Sequence, residues 1–313
     1  MFFKKKLFSI GMIPVLALVI SLMVGSYISI VSNITLTNGK DGLTYQRIDA
    51  GSFLMGCVAG DSSCDAIEKD QHLEIIDQAF YISTTEVTVK AFRTFVKSTG
   101  YLPESVKTQK GRVYNDVLNW QWVNGVHWEY PTEKKVKVQD DFPVTQVSYN
   151  DAICYCKWAG GRLPTEKEWE FAARGGLENA KYPWGTLWPP VKQNVSLVNG
   201  SDMRTHDLFP SMEFIADYDD GFASIAPVAS FPPNGFGLYD MAGNVWEWTD
   251  TRFFKGYSES IIDSVFLKHD VRIVKGGAWC YYPSQLRCSE RGYFEKDKLW
   301  TGSLGFRCVL EGN

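Results

Sequence analysis

The chain has 313 residues, of which 32 are Lys or Arg and 36 are Asp or Glu, so its formal net charge is −4. Hydrophobic residues make up 45% and charged residues 22%, which is typical of a folded globular protein and excludes a disordered one. A slightly acidic chain has no overall basic field, which argues against a nucleic-acid partner. The 11 Trp, 15 Tyr, 19 Phe and 27 Gly residues favour a large irregular fold whose loops are held by buried rings.

The N-terminal segment predicts the compartment of the protein. Three lysines at positions 4–6 precede residues 7–31, an almost wholly apolar run that, at about 25 residues, is long enough to span a bilayer core. Lysines before such a run predict a cytoplasmic N-terminus and an exported remainder. We interpret residues 1–35 as a retained signal anchor, which gives a membrane-anchored protein facing the periplasm or the extracellular side. A cleaved signal peptide, which would give a secreted protein, is the alternative.

Residues 36–313 are predicted to form one domain, because no linker or low-complexity tract divides them. A helix is predicted over residues 88–98, where apolar side chains share one face. The capping boxes of Ser148 with Asp151 and of Thr165 with Glu168 predict two more helices, the second over residues 166–174. Short apolar runs in the C-terminal third, such as residues 272–274 and 306–309, predict short strands. We therefore expect an α+β fold with little regular secondary structure.

Long and distinctive motifs follow one another along the domain. They are Gly-Ser-Phe-Leu-Met-Gly at 51–56, Phe-Pro-Val-Thr-Gln-Val-Ser at 142–148, Gly-Gly-Arg-Leu-Pro-Thr-Glu at 160–166, Asp-Met-Ala-Gly-Asn-Val-Trp-Glu-Trp at 240–248 and Gly-Phe-Arg-Cys at 305–308. In this order they resemble the formylglycine-generating enzyme, or sulfatase-modifying factor, superfamily. The resemblance implies an elaborated C-type-lectin-like fold for residues 36–313, with its core at residues 51–308.

The resemblance also implies a place for the chemistry. Typical members oxidise a cysteine of unfolded sulfatases to formylglycine, with molecular oxygen and copper held by two thiolates in a Cys-x-x-x-x-Cys pair, and copper(I) prefers such soft ligands. Here Cys280 lies close to the first ligand position, but the second falls near Pro283, and Ala278 replaces a serine. We therefore expect neither a two-thiolate copper site nor the typical formylglycine reaction. Cys280 is the catalytic candidate, and a structural or inert cysteine is the alternative.

The cysteines predict two disulfides. Cys57 and Cys64 are close neighbours in one loop and are expected to pair. Cys156 and Cys308 match positions that form a disulfide in the resembled enzymes.

Three cysteines remain after these two pairs, namely Cys154, Cys280 and Cys288. The resemblance implies a disulfide at Cys288 whose usual partner position lies near Ala173 here. Either Cys154 or Cys280 could replace that partner, and only the first arrangement would leave Cys280 as a free thiol.

The resemblance further implies structural calcium, which prefers hard oxygen ligands. The first predicted ligand set, which includes backbone carbonyls, is Asp240, Gly243, Val245 and Glu247. The second is Asn194, Val195, Asp220 and Phe222. A buried carboxylate bonded to backbone amides is the alternative interpretation of Glu247.

The sequence indicates a function only at a coarse level. The first hypothesis is an exported member of this superfamily that modifies or matures a partner protein or peptide. The alternative is a non-catalytic ligand-binding or structural envelope module on the same scaffold. Whether the chain is an enzyme stays open; if it is one, we expect an oxidoreductase of the formylglycine-generating type. Aromatic candidates for ligand contact, for which core packing is the alternative, are Trp279, Tyr281, Tyr282, Tyr293 and Trp300.

Overall fold

A computed structural model describes residues 34–117, 119–133, 136–257 and 269–312. Over these ranges the chain forms an α+β fold of short elements joined by long loops. The predicted membrane segment at residues 7–31 lies outside the described residues. The helices of the described ranges include none with the length and hydrophobicity of a membrane span.

Five α-helices form within the described ranges. They are α1 (Val89–Thr99), α2 (Glu104–Lys107), α3 (Tyr149–Ala159), α4 (Glu166–Arg174) and α5 (Met203–Leu208). The capping boxes at Ser148 and Thr165 are both present, and each side chain accepts a hydrogen bond from the backbone three residues later. These contacts satisfy N–H groups that a helix start otherwise leaves without partners, so the sequence predicted both starts correctly.

Fourteen short strands form within the same ranges. They are β1 (Thr35–Thr37), β2 (Thr44–Ile48), β3 (Gly51–Met55), β4 (His72–Ile76), β5 (Phe80–Ser83), β6 (Lys110–Asn115), β7 (Asn119–Asn124), β8 (Val191–Lys192), β9 (Val195–Ser196), β10 (Trp246–Arg252), β11 (Val271–Lys275), β12 (Gly292–Glu295), β13 (Leu304–Gly305) and β14 (Val309–Glu311).

The strands form two four-stranded sheets and three hairpins. One sheet has the order β1-β2-β5-β14 and the other β12-β11-β10-β13, while β3–β4, β6–β7 and β8–β9 are two-stranded. The strand predicted at residues 272–274 is part of β11. The prediction of a strand at residues 306–309 is wrong for the first three residues, because β14 begins only at Val309. The carbonyls of Phe306 and Cys308 accept from the N–H groups of Val87 and Ser83 while the chain passes from β13 to β14.

The main core lies between helices α1 and α3 and the sheet that contains β10. Phe92 of α1 and Phe306 both pack on Tyr155 of α3, with ring centroids 5.9 Å and 5.3 Å apart. Trp246 and Trp248 of β10 are buried in the same core. Aromatic rings therefore fill the space that the short elements leave, as the composition predicted.

Two disulfides join distant or irregular parts of this fold. Cys57 is bonded to Cys64 within one loop, and Cys156 of α3 is bonded to Cys308, 152 residues further along the chain. The second bond fixes α3 to the segment that leads into β14. Both are the pairs expected from the sequence.

Candidate functional site

The loop that carries Cys280 begins at a turn that requires glycine. Gly276 and Gly277 follow β11 with φ angles of 99° and 70°, a region that other residues rarely adopt. A Cβ on Gly277 would lie 2.6 Å from the carbonyl oxygen of Gln285. The two glycines therefore let the loop fold back on itself, and a short 3₁₀ turn at Pro283–Leu286 leads it toward β12.

Cys280 lies in a cluster of apolar and aromatic side chains, which we call the Cys280 cluster. Its members are Tyr114, Trp120, Phe209, Met212, Ile225, Trp279, Cys280 and Tyr281. They come from the β6–β7 hairpin, the segment after α5 and the loop itself. The ring of Trp120 lies 6.2 Å from that of Tyr281, and the ring of Phe209 lies 5.7 Å from that of Trp279. The cluster leaves Cys280 only 9% exposed.

Burial disfavours ionisation of the Cys280 thiol. Burial raises the pKa of Cys280, and a hydrogen bond with the Ser303 side chain lowers it by less. The Ser303 hydroxyl is in turn 3.1 Å from the hydroxyl of Thr301. Because the thiolate is the nucleophilic and metal-binding form, the thiol needs a bound group or substrate that removes its proton before it can react.

The other two unpaired cysteines lie elsewhere. Cys288 packs in a separate apolar cluster with Trp169 and Ala173, and burial raises the pKa of its thiol to about 12. Cys154 is partly exposed on α3 and packs at the edge of the main core. Neither alternative disulfide at Cys288 forms, so Cys280 is a free thiol.

The aromatic contact candidates separate into two groups. Tyr281 and Trp279 belong to the Cys280 cluster, and the adjacent Tyr282 is 57% exposed. Trp300 is buried against Trp122 of β7, with ring centroids 5.1 Å apart.

Tyr293 is exposed on β12 and packs on Phe253, with ring centroids 4.2 Å apart. It is absent from the Cys280 cluster. Among the five candidates, Tyr282 is thus the exposed aromatic side chain of the loop itself, while Trp279 packs inward in the Cys280 cluster.

The first predicted calcium set is arranged around an ion pair. Both carboxylate oxygens of Glu247 accept hydrogen bonds of 2.7 Å from Arg307, and one also accepts from Trp169 Nε1 at 2.7 Å. Burial raises the pKa of Asp240 to about 6. Burial also raises the pKa of Glu86, the neighbour of Asp240. A calcium ion at this set would share Glu247 with Arg307, and the set stays a prediction.

The second predicted set has a different electrostatic character. The carboxylate of Asp220 accepts only backbone hydrogen bonds, from Gly200 at 2.9 Å and Phe222 at 2.8 Å. Burial and the neighbouring Asp202 raise its pKa to about 7. No Lys or Arg forms a salt bridge with Asp220 or Asp202 in the described ranges. Asn194 and Val195 are exposed at the β8–β9 turn.

Ser196, the residue after Val195, donates to the carbonyl of Asp219 at 3.2 Å. This contact brings the β8–β9 hairpin beside the Asp220 segment. Across the described residues, no three His, Cys, Asp or Glu side chains are arranged to hold a metal ion, so an ion here would depend on carbonyl and amide oxygens as well.

Several residues near Cys280 were missed at the sequence level. Ser303, Phe209 and Met212 come from segments without a recognisable pattern, and only the fold brings them together. Trp120 and Trp122 could have been found, because two tryptophans alternate in the uncharged run Asn-Trp-Gln-Trp-Val-Asn. Such alternation predicts a strand with an aromatic face.

The fold and site together define a mixed α+β protein with little regular structure and one free thiol buried in an aromatic loop cluster. Residues 39–312 match the family described as Sulfatase-modifying factor enzyme 1-like domain. The chain therefore belongs to the formylglycine-generating enzyme family, as the motifs indicated.

The curated relatives include formylglycine-generating enzymes and proteins named as inactive ones. The chain is 35% identical to the formylglycine-generating enzyme of Bos taurus, over 84% of this chain and 74% of the relative. It is 33% identical to the inactive C-alpha-formylglycine-generating enzyme 2 of Bos taurus, over 96% of each. The solved structure of PvdO from Pseudomonas aeruginosa is similar in fold, with a TM-score of 0.67 and 23% identity over 90% of this chain and 98% of that one.

Proposed function

We propose that this protein is an exported member of the formylglycine-generating enzyme family that modifies or matures a protein or peptide partner, with Cys280 as the reacting group. The observation that carries the proposal is the free Cys280 thiol inside the aromatic cluster of the C-terminal loop. The exposed Tyr282, together with the exposed Trp122 on the strand that carries Trp120 of the cluster, would offer a partner chain a contact surface.

The chemistry differs from copper-dependent formylglycine formation. A copper(I) site of that kind needs two adjacent thiolates, and Cys280 is the one cysteine of the Cys280 cluster. Cys288 packs in another cluster, and Cys154 lies on α3. The residues present do not fit a two-thiolate copper site, so we derive no step through copper.

Export is supported by the two disulfides and by the N-terminal run of apolar residues after lysines. Disulfides persist in oxidising compartments and are rare in the cytosol. The run at residues 7–31 would anchor the chain in the membrane and leave residues 36–313 outside the cytosol. Residues of the second set would hold calcium as a structural ion, because Asp220 of that set and the adjacent Asp202 are buried carboxylates without a cationic partner among the described residues.

The direct test compares side-chain modifications on exported proteins of producing cells by mass spectrometry. We expect at least one exported protein to lose its modification in cells that carry Cys280→Ser. Cys154→Ser is the matched control, because Cys154 is a free thiol outside the Cys280 cluster. An unchanged set of modifications in the Cys280→Ser cells would contradict the proposal.

A second measurement separates this proposal from the typical family reaction. The purified chain is incubated with copper(I), oxygen and a synthetic sulfatase peptide that contains the cysteine oxidised by formylglycine-generating enzymes. We expect no conversion of the peptide, because the second thiolate is missing. Conversion that depends on Cys280 would show that the typical chemistry persists.

A further inference from the structure

The outer edge of strand β7 offers unpaired backbone groups next to the Cys280 cluster. In the described part of the chain β7 pairs only with β6. The register pairs Lys110 with Asn124 and Arg112 with Trp122. In an antiparallel ladder, alternate residue pairs exchange hydrogen bonds, and the intervening pairs direct their N–H and C=O groups away from each other.

The hydrogen bonds around β6 show which backbone N–H and C=O groups point away from the partner strand. Gly125 N–H donates to the carbonyl of Gln109 at 2.8 Å, so this pair and every second pair beyond it bond inward. The outward groups of Arg112 already have partners. The side-chain amide of Gln146 bonds both the N–H and the carbonyl of Arg112, at 3.2 Å and 2.9 Å.

The same alternation directs the N–H and C=O groups of Trp120, Trp122 and Asn124 toward the free side of β7. The Trp120 carbonyl accepts from the Arg112 side chain at 3.4 Å. No hydrogen bond to the backbone of Trp122 or Asn124 comes from any other described segment. Two residues at a spacing of two thus present a donor and an acceptor each, which is the pattern that an extended chain complements.

The composition of β7 also favours pairing. Its sequence, Asn-Trp-Gln-Trp-Val-Asn, contains no charged residue and no proline. Natural proteins protect free edges with lysine, proline, bulges or very short strands. With six residues, β7 is longer than the other strand edges that lack a partner in the described ranges, such as β12 with four and β1 with three.

The aromatic face of β7 contacts the loop that carries Cys280. Trp120 and Trp122 lie on the same face because their positions differ by two. Trp120 packs on Tyr281, the neighbour of Cys280, and Trp122 packs on Trp300. A strand added beside β7 would place alternate side chains on this aromatic face.

We propose that an extended segment of the partner polypeptide pairs with β7 as a third strand of the β6–β7 sheet. The inference rests on the proposed function, since it assigns the place where that partner is held. Main-chain hydrogen bonds to Trp122 and Asn124 would provide affinity for an unfolded chain. The Trp120 and Trp122 rings would favour apolar or aromatic side chains at every second position.

The test removes one outward donor without disturbing the hairpin. Asn124→Pro deletes an N–H that points away from β6, and proline is tolerated on strand edges at such positions. Asn124→Ala is the matched control, because it removes the side chain and keeps the N–H. The probe is reduced, carboxymethylated α-lactalbumin, an unfolded polypeptide, titrated into the full chain in detergent micelles and followed by fluorescence anisotropy.

We expect the full chain to bind the unfolded probe and not native α-lactalbumin. Asn124→Pro should weaken binding about tenfold, the effect of one backbone hydrogen bond, and Asn124→Ala should bind like the wild type. Equal binding by Asn124→Pro, or no binding by the wild type, would overturn the inference. Dimerisation of the wild type that Asn124→Pro abolishes would also overturn it, because a second copy would then occupy the edge.

Binding and chemistry are read separately. If Asn124→Pro weakens probe binding, the proposed pairing with β7 is supported even when Cys280→Ser leaves every exported protein unchanged. The unchanged proteins would then contradict only the proposed function. Suppose that modification of exported proteins needs Cys280, and that Asn124→Pro leaves both this modification and probe binding unchanged. That result would contradict only the proposal that a partner chain pairs with β7.

Discussion

At the residue scale, a single ion pair joins three distant parts of the chain. Arg307 and Glu247 are both fully buried, and Arg307 also donates to the carbonyls of Ser83 and Tyr239 at 3.1 Å and 2.9 Å. A buried charge without its partner is strongly destabilising, although a neutral, well-packed replacement of both partners often is not. The pair therefore fixes the arrangement of β10, β5 and the segment before β14.

We expect Arg307→Ala to lower the free energy of unfolding by about 3–5 kcal/mol, because it leaves Glu247 charged and buried. Urea unfolding of the purified chain measures this change. Arg162→Ala is the control, since Arg162 pairs with Glu168 nearer the surface and should lose less than about 1 kcal/mol. The double variant Arg307→Met with Glu247→Gln should recover more than half of the loss. A double variant as unstable as Arg307→Ala would contradict the charge explanation.

Asp220 gives a second prediction at this scale, on pH and calcium. Its pKa is raised to about 7, while an unfolded aspartate titrates near about 4. Between these values the folded state binds a proton that the unfolded state lacks, so the free energy of unfolding should fall as the pH rises from 4 to 7 in EGTA. Calcium at a hundredfold excess over its Kd should restore about 2.7 kcal/mol at pH 8.

Thermal unfolding in EGTA and in calcium measures both effects. Asp220→Asn should remove the response to calcium. Asp219→Asn is the matched control, because Asp219 is exposed and paired with Arg204. If both variants keep the calcium-dependent rise in Tm, Asp220 does not hold the ion.

At the scale of elements, the starts of α3 and α4 differ in how far the contacts of their capping residues reach along the chain. Thr165 and Glu168 close the capping box of α4, and Glu168 also accepts from the nearby Arg162. Asp151 of α3 instead accepts from a distant segment, from the Tyr101 hydroxyl at 2.9 Å and the Glu104 N–H at 3.2 Å. The box of α3 is therefore tied to the start of α2, and that of α4 is local.

We expect Thr165→Ala to cost about 1 kcal/mol of unfolding free energy, the usual value for a lost cap. Asp151→Ala should cost more, because it also leaves the N–H of Glu104 and the hydroxyl of Tyr101 without their partner. Urea unfolding curves of the two variants give the comparison. Equal losses would mean that the contacts to Tyr101 and Glu104 add nothing.

The same elements show what the sequence can predict. The helix starts at Thr88, Ser148 and Thr165 depend on residues within one turn, so the sequence alone predicts them, and the ordered motifs predict the family. The Cys280 cluster as a whole could not be predicted, because Phe209 and Met212 follow α5 in a segment without a recognisable pattern and only the fold brings them to the loop. For Glu247 the sequence could not reveal the pairing with Arg307, because several kinds of partner suit a buried carboxylate.

At the scale of the whole molecule, the two disulfides differ in the length of chain that they close. Cys156 and Cys308 are 152 residues apart, whereas Cys57 and Cys64 are separated by 7. In the chain-entropy description, the longer closure removes more freedom from the unfolded state. The upper figures are about 5 kcal/mol for the long loop and about 2 kcal/mol for the short one.

We therefore expect Cys156→Ser with Cys308→Ser to lower the unfolding free energy by several kcal/mol more than Cys57→Ser with Cys64→Ser does. Urea unfolding without reductant measures the difference, and mass-spectrometric mapping without reduction verifies the remaining bond in each variant. Adding dithiothreitol to the Cys57→Ser, Cys64→Ser variant reduces its remaining bond between Cys156 and Cys308 and should reproduce the larger decrease. The loop-length explanation ranks the two bonds in this order, with the longer loop contributing more. Equal losses in the two variants would therefore mean that native contacts around each bond, and not loop length, set its contribution to stability.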